Sequence, residues 1–509
     1  MATRKEQLDA FNFARRRMVS NMVAPSATGS DEFAPRPVKT FVTSFMIGAV
    51  AIAAVVVLGV FKPSAPSGWQ NGLAVDSASG ADYVYSTQDD ELHQVYNTTS
   101  AKLLLGTNFQ IFNVPDSVIN GPNETIGAPY GILDAPPDVP AAGNVDLTQW
   151  TACEQAKNAT SQAAAVGRTV LEVGYGQGGD QSVQKATGII VHDGAGQAYM
   201  IDGNYKYPIA DKTTAGILSG ETVSSSLQEG PFVEDSWLSV FAQGGTIDVP
   251  QVPGAGNPLP SSLSGQPGQV IGDYGQINSP SGQSYYIETG TGLVEVSQFT
   301  YFLYTSAVPS SDIQPMTGLS SGSGAVSDAK VETDDATSLN GTSASWPQIR
   351  PSILGDVSGQ DGNYAVICAS FNGSFDGTGA PQLALYTGSD LPHPLGADGG
   401  IKQSGTTAGL ADVMDVESGH AAIFQVAANG STKGTGTEFL LPSTGTKYPL
   451  ATKENFTGLT GKQQQVSAVD QLQYKMAAQA VPAGFAGLVQ TGSLLDPVAA
   501  GQTPQVNTQ

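Results

Sequence analysis

The feature that most constrains this chain is a run of 21 residues, Phe41 to Phe61 (FVTSFMIGAVAIAAVVVLGVF), without one charged side chain. As a helix rising about 1.5 Å per residue it would be about 31 Å long, the thickness of a bilayer hydrocarbon core. Forty residues precede it, whereas the apolar region of a secretory signal is shorter, lies near the N-terminus and is followed by a small-residue cleavage site. Prolines follow at Pro63 and Pro66. The expectation is one uncleaved transmembrane helix over 41–61; the alternative, a buried core helix, is disfavoured by the absence of any polar face over 21 residues.

Charge then predicts an orientation. Residues 1–40 hold seven Lys/Arg against four acids, which leaves 15 of the 22 basic and 41 of the 45 acidic residues for the rest, a net of −26. Short basic flanks stay in the cytoplasm, so the expected arrangement is single-pass in the cell (inner) membrane, with a cytoplasmic N-terminus and an extracytoplasmic remainder. That remainder is long enough for two or three cores, and 61 Gly and 31 Pro in the chain favour short strands joined by turns. Its acidity argues against nucleic acid as a partner. The two cysteines, Cys153 and Cys368, both fall in it. No further Cys or His stands at metal-ligand spacing from either, so a disulfide closing a long loop is expected.

Before the apolar run, TRKEQLDAFNFARRRMVSNMV reads as a short amphipathic helix, with Thr3 and Glu6 in a capping-box pattern and Leu8, Phe11, Met18 and Met22 on one stripe beside Arg15, Arg16 and Arg17. It would rest on anionic lipid or dock on a partner. Linkers are read at 25–37 and 62–80. Beyond them one unit recurs: two alternating strands about a polar turn, a Ser/Thr-rich step and a leucine-type anchor. It is found near 81–106, 196–220, 282–306 and 436–461, with Tyr83, Tyr199, Tyr285 and Phe439 in register. The copies are unevenly spaced, so the expected fold is mainly β with short helices (α+β), four small hairpin-helix lobes around a β-rich core within 81–500, and a tail at 501–509. Core strands are predicted at Thr187–Asp193, Tyr364–Ser370 and Ala421–Ala427, and a polar surface loop between Thr317 and Ser345.

The string nearest a P-loop, FTGLTGKQ (Phe456 to Gln463), lacks the first glycine and the Ser/Thr that would bind Mg²⁺. GLSSG (Gly318 to Gly322) fits a nucleophile elbow only as a string, because no strand and helix flank Ser320. His93, His192, His393 and His420 show no paired spacing. No catalytic, cofactor or metal constellation is predicted.

Several stretches carry a resemblance: Gln7, Phe13, Arg16 and Arg17 before the apolar run; FKP (Phe61 to Pro63); LHQVYNTTSAKLLLG (Leu92 to Gly106); IGAPY (Ile126 to Tyr130); Trp150 and Cys153; and VPAGFAGLVQTG (Val481 to Gly492). Together they resemble the EccB family, a membrane component of the type VII (ESX) secretion core complex of actinobacteria, over nearly the whole chain. The resemblance implies one transmembrane helix and four repeats flanking a core fastened through Cys153 and Cys368. It further implies assembly with EccC, EccD and EccE into a hexameric export machine. Phe13, Arg15, Arg16 and Arg17 are then the expected partner-docking residues. The chain departs from the family pattern where MVAPSA (Met22 to Ala27) replaces a second arginine pair and where Gln94 replaces a proline. Some family members are described as ATPases, yet no nucleotide loop is read here. Two rival readings are an envelope module that grips glycan with Tyr83, Tyr199 and Tyr285, and an ectoenzyme using Lys462 or Ser320.

Overall fold

The computed structural model describes residues 3–23, 46, 64–156, 167–175, 184–186, 188–219, 231–263, 268–280, 282–308, 310–316, 319, 331–332, 346–351, 365–376, 379–388, 390–396, 399–403, 409–428 and 432–504. The expected transmembrane helix over 41–61 lies, Met46 apart, outside them, and so does most of the loop read at 317–345. Among the described residues no helix is long and apolar enough to cross a membrane. The one helix of 20 residues, Arg4–Val23, carries Arg4, Lys5, Glu6, Asp9 and Arg15 to Arg17, charges that hydrocarbon would not tolerate. The expected fold and single-pass localisation are corrected accordingly: the described fold is mixed α+β, with short helices, a β-rich core and no spanning helix.

Alternation of apolar and polar residues builds four small sheets. The first runs in the order Glu91–Gln94, Asp82–Ser86, Leu73–Asp76, Ile111–Val114. It therefore begins within the stretch read as a linker. The second is Ala242–Gln243, Tyr205–Pro208, Ala198–Asp202, Gly188–His192. The third is Tyr274–Ser279, Gly282–Glu288, Leu293–Val296, Val331–Glu332. The fourth is Tyr448–Pro449, Gly434–Pro442, Ala421–Ala427, Gln479–Pro482.

The hairpins share one hydrogen-bonding scheme. In the first, second and fourth lobes Tyr83, Tyr199 and Phe439 pair with Gln94, Pro208 and Pro449. The carbonyls of those three partners accept from Tyr130 N, Ile247 N and Leu495 N at 2.8, 2.7 and 2.8 Å, so each hairpin is closed by a segment much later in the chain. Gln94, in place of a proline, occupies the same position as Pro208 and Pro449. In the third lobe Glu295, the residue before the buried Val296, pairs with Tyr286 rather than Tyr285, so its register differs by one from the sequence reading.

In the first and third units the Ser/Thr-rich step begins a helix by capping it. Asn97 accepts from Ser100 N at the start of Thr98–Leu105, and Ser297 from Thr300 N at the start of Gln298–Ser306. In the fourth unit the predicted anchor is instead a strand: Glu454–Thr457 pairs with Gln463–Val466, and the helix follows at Ala468–Gln471 with a full Ser467/Asp470 capping box.

The central sheet has seven strands, in the order Ile401–Lys402, Val413–Val416, Arg168–Val173, Trp150–Ala156, Ala365–Phe375, Pro381–Gly388, Gln184–Ala186. Of the three predicted core strands, only the one beginning near Tyr364 belongs to it. Gly188–His192 and Ala421–Ala427 are lobe strands, whose Ile189, Val191, Ala422 and Phe424 pack in one core cluster with Trp150, Leu171, Ile367 and Phe371.

Candidate functional site

Three arrangements concentrate the residues that chemistry and resemblance single out. The first is the helix Arg4–Val23, where Thr3 N donates to Glu6 Oε2 at 2.7 Å and lowers that carboxyl's pKa. Neighbours on a helix face stand three or four residues apart. Phe13 therefore shares a stripe with Arg16 and Arg17, while Arg15 falls among Leu8, Phe11, Met18, Val19 and Met22 on another. The sequence groups the three arginines; the helix separates Arg15 from its neighbours. Phe13 is 61% exposed, and Leu8, Phe11, Met18, Val19 and Met22 are exposed as well. The helix offers an apolar face with one cation and a second face with an aromatic ring between two guanidinium groups, a pairing suited to an acidic, partly apolar protein surface.

The second is the bridged centre of the large sheet. Cys153 and Cys368 stand directly opposite each other on antiparallel strands and form a disulfide across a sequence separation of 215. Both are buried, among Val170, Val366 and Val413. Two acids are buried in the same sheet on opposite faces. Glu154 accepts from Thr169 Oγ1 at 3.0 Å, and burial, opposed by that bond, raises its pKa to about 8. Glu172 lies beside Asp415, and burial likewise raises it to about 8. Nearby, Tyr175 donates to Asp415 Oδ1 at 3.0 Å and stacks on His393 at 3.7 Å between centroids. Carboxyls protonated at neutral pH are compatible with an apolar core.

The third is the packing of the signature motifs. LHQVYN and IGAPY lie against each other through parallel bridges Leu92 to Ile126 and Val95 to Tyr130. Asn97 Nδ2 donates to Ile132 O at 2.7 Å, so the residue that caps the first lobe's helix also holds the segment just after the second motif. In VPAGFAG, a Cβ on Gly484 would lie 2.5 Å from Ser239 O and 2.6 Å from Val240 Cα, a backbone approach that only glycine permits.

The rival sites are built differently. Phe456 to Gln463 is a hairpin turn in which Gly461 N donates to Gly458 O at 2.9 Å and Gly458 N to Lys462 O at 3.3 Å. These donors serve the turn, and a strand rather than a helix follows. Ser320 lies outside the described residues. Tyr83 is buried, Tyr199 donates to Asp193 Oδ2 at 3.4 Å, and Tyr285 packs on Tyr301 with centroids 4.9 Å apart, so these rings mainly pack their own lobes.

Comparison with known proteins fits this architecture. The family described as "Type VII secretion system ESX-1, transport TM domain B" matches residues 1–506. The ESX-1 secretion system ATPase EccB1 of Mycobacterium tuberculosis is 24% identical over 303 residues, covering 58% of this chain and 60% of that protein. The ESX-2 secretion system ATPase EccB2 of the same organism is 28% identical over 272 residues, 52% of this chain and 51% of that one. The chain thus matches only about half to three fifths of the length of these curated relatives. Among solved structures, a chain of the intact ESX-5 inner membrane complex shares the fold with a TM-score of 0.61 at 17% identity, covering 100% of this chain and 97% of that one. The EccB3 dimer from the ESX-3 core complex gives 0.58 at 19%, covering 84% and 99%. With a family match over almost its full length and the fold of these complexes' subunits, this chain belongs to the EccB family of type VII (ESX) secretion systems.

Proposed function

We propose that the chain is a structural subunit of an ESX core complex, associating with other Ecc-type components and with copies of itself. The observation that carries this reading is the family match over residues 1–506, which takes in the uncovered N-terminal helix as well as the lobes. EccC, EccD and EccE are the partners proposed, with a hexameric assembly, and the helix Arg4–Val23 is the docking element. On this reading Phe13, Arg16 and Arg17 form one contact and Arg15 another. The ATPase in the relatives' names is not carried over, because the string at Phe456 to Gln463 lacks the first glycine and the Ser/Thr of a P-loop, and its Gly458 and Gly461 N–H groups bond within the turn.

Replacing Arg16 and Arg17 by Ala in the full-length chain is expected to reduce co-purification of the other components at least about tenfold, since charge-assisted contacts of this kind are each worth about 1.5–3 kcal/mol. Arg15→Ala alone should have the smaller effect. Undiminished recovery in both variants would refute the docking role. ATP turnover that disappears in Lys462→Ala would favour the enzymatic alternative instead.

A further inference from the structure

The corner of the first lobe formed by Asp89, Glu91 and His93 has no part in the reading above, yet it has the chemistry of a ligand set. In the sequence the four histidines look scattered. The stretch DDELH nevertheless places two carboxylates and an imidazole at alternate positions running into the strand Glu91–Gln94, and alternate residues of a strand share a face. Their ligand atoms all lie within 4.8 Å of one another.

The imidazole supplies an independent observation. His93 is only 3% exposed, and its ring is fixed from three sides. It stacks on Tyr130 with centroids 3.8 Å apart and planes 5° from parallel. Its Nδ1 lies 2.7 Å from Ala128 O. A Cβ on Gly127 would come within 2.6 Å of its Cε1 and 2.3 Å of Glu91 Oε2, so only glycine leaves room for the cluster. A backbone carbonyl only accepts, so Nδ1 carries a proton and Nε2 is the nitrogen turned into the cluster. Nε2 faces Asp89 Oδ2 at 3.0 Å. A proton on Nε2 would bridge these two atoms alone, whereas a metal ion in that place would engage Glu91 as well.

We propose that Asp89, Glu91 and His93 form a three-ligand site for a divalent transition metal of the zinc class. Bonds of about 2.0–2.2 Å put neighbouring ligand atoms of a tetrahedral site about 3.3 Å apart, near the separation found for Nε2 and Oδ2. Imidazole and carboxylate donors suit such a metal, and an Nδ1–H held by a carbonyl is the usual support of a metal-binding histidine. The fourth position is open to water. The role is structural: the turn that carries Asp89 also reaches the fourth lobe, where Thr87 N donates to Leu459 O at 2.9 Å and Gln88 Nε2 to Gly458 O at 2.8 Å. A metal here pins that turn, and with it the contact between the two lobes.

The test uses full-length protein freed of metal by a chelator, titrated with zinc chloride against a competing chromophoric chelator while Tm is followed in parallel. One equivalent should bind and raise Tm. Asp89→Asn, at a side chain 41% exposed where the fold tolerates the change, should weaken binding about tenfold or more, and Glu91→Gln likewise, with the zinc-dependent gain in Tm lost in both. Absence of stoichiometric binding would overturn the site and leave a proton as the shared cation. Equal affinity and equal Tm gain in wild type and both variants would overturn it too, as binding at other carboxylates.

Discussion

Replacing Cys153 and Cys368 together by Ala, or reducing the bridge, is expected to lower unfolding stability by about 2–5 kcal/mol. The bridge joins the strands Trp150–Ala156 and Ala365–Phe375, which are far apart in sequence but adjacent at the centre of the seven-stranded sheet. Most of the effect lies in the unfolded chain, which the bridge holds in a large loop. In the native state, reduced thiols would remain small apolar side chains among Val170, Val366 and Val413. Urea denaturation with and without reductant checks this. The midpoint should fall, and the m-value should rise, because the unreduced unfolded chain is the more compact. An unchanged midpoint after verified reduction would mean that the bridge constrains little.

Stability should also fall between about pH 4.5 and pH 8. Burial raises Glu154 and Glu172 from an ordinary value of 4.5 to about 8 in the folded protein. Below the lower value both states hold these protons, and the groups do not oppose folding. Between the two values the unfolded chain releases protons that the folded chain retains, so the unfolded state gains. Above about 8 both states are ionised and the loss levels off. The sum for two such groups is on the order of several kcal/mol. Tm should therefore be higher at pH 5 than at pH 8. Glu172→Gln, which keeps the shape without the titrating proton, should flatten the profile and raise Tm at pH 8. A profile that rises over this range would contradict the burial of these acids.

What was legible in the sequence was local. Alternation marks the hairpins, and the Ser/Thr-rich step after them marks the helix starts in the first and third units, where the structure shows Asn97 and Ser297 as the caps. What failed was decided by distant chain. The edges of the first and fourth sheets come from Ile111–Val114 and Gln479–Pro482, which join in parallel with no turn to signal them. Adjacent Tyr285 and Tyr286 fit the alternation equally well, and only pairing with Glu295 decides between them. Apolar runs such as Gly188–His192 look alike whether they belong to a lobe or to the central sheet. The fourth unit misled because a complete hairpin, Glu454–Thr457 with Gln463–Val466, intervenes before its helix. His93 carries no paired-histidine spacing, because Asp89, Glu91 and His93 follow instead a two-residue period running into a strand. The arginines of the N-terminal helix are legible in the sequence, but their division between two faces follows only from helical geometry.

The central claim, that this chain is a structural part of an ESX core complex, is tested most directly by extracting the tagged full-length protein from its native cells in mild detergent and weighing what comes with it. The account predicts one large assembly containing other Ecc-type subunits in fixed ratio to this chain. Recovery of the chain alone, or free of any Ecc-type protein across detergents that keep membrane complexes intact, would contradict it.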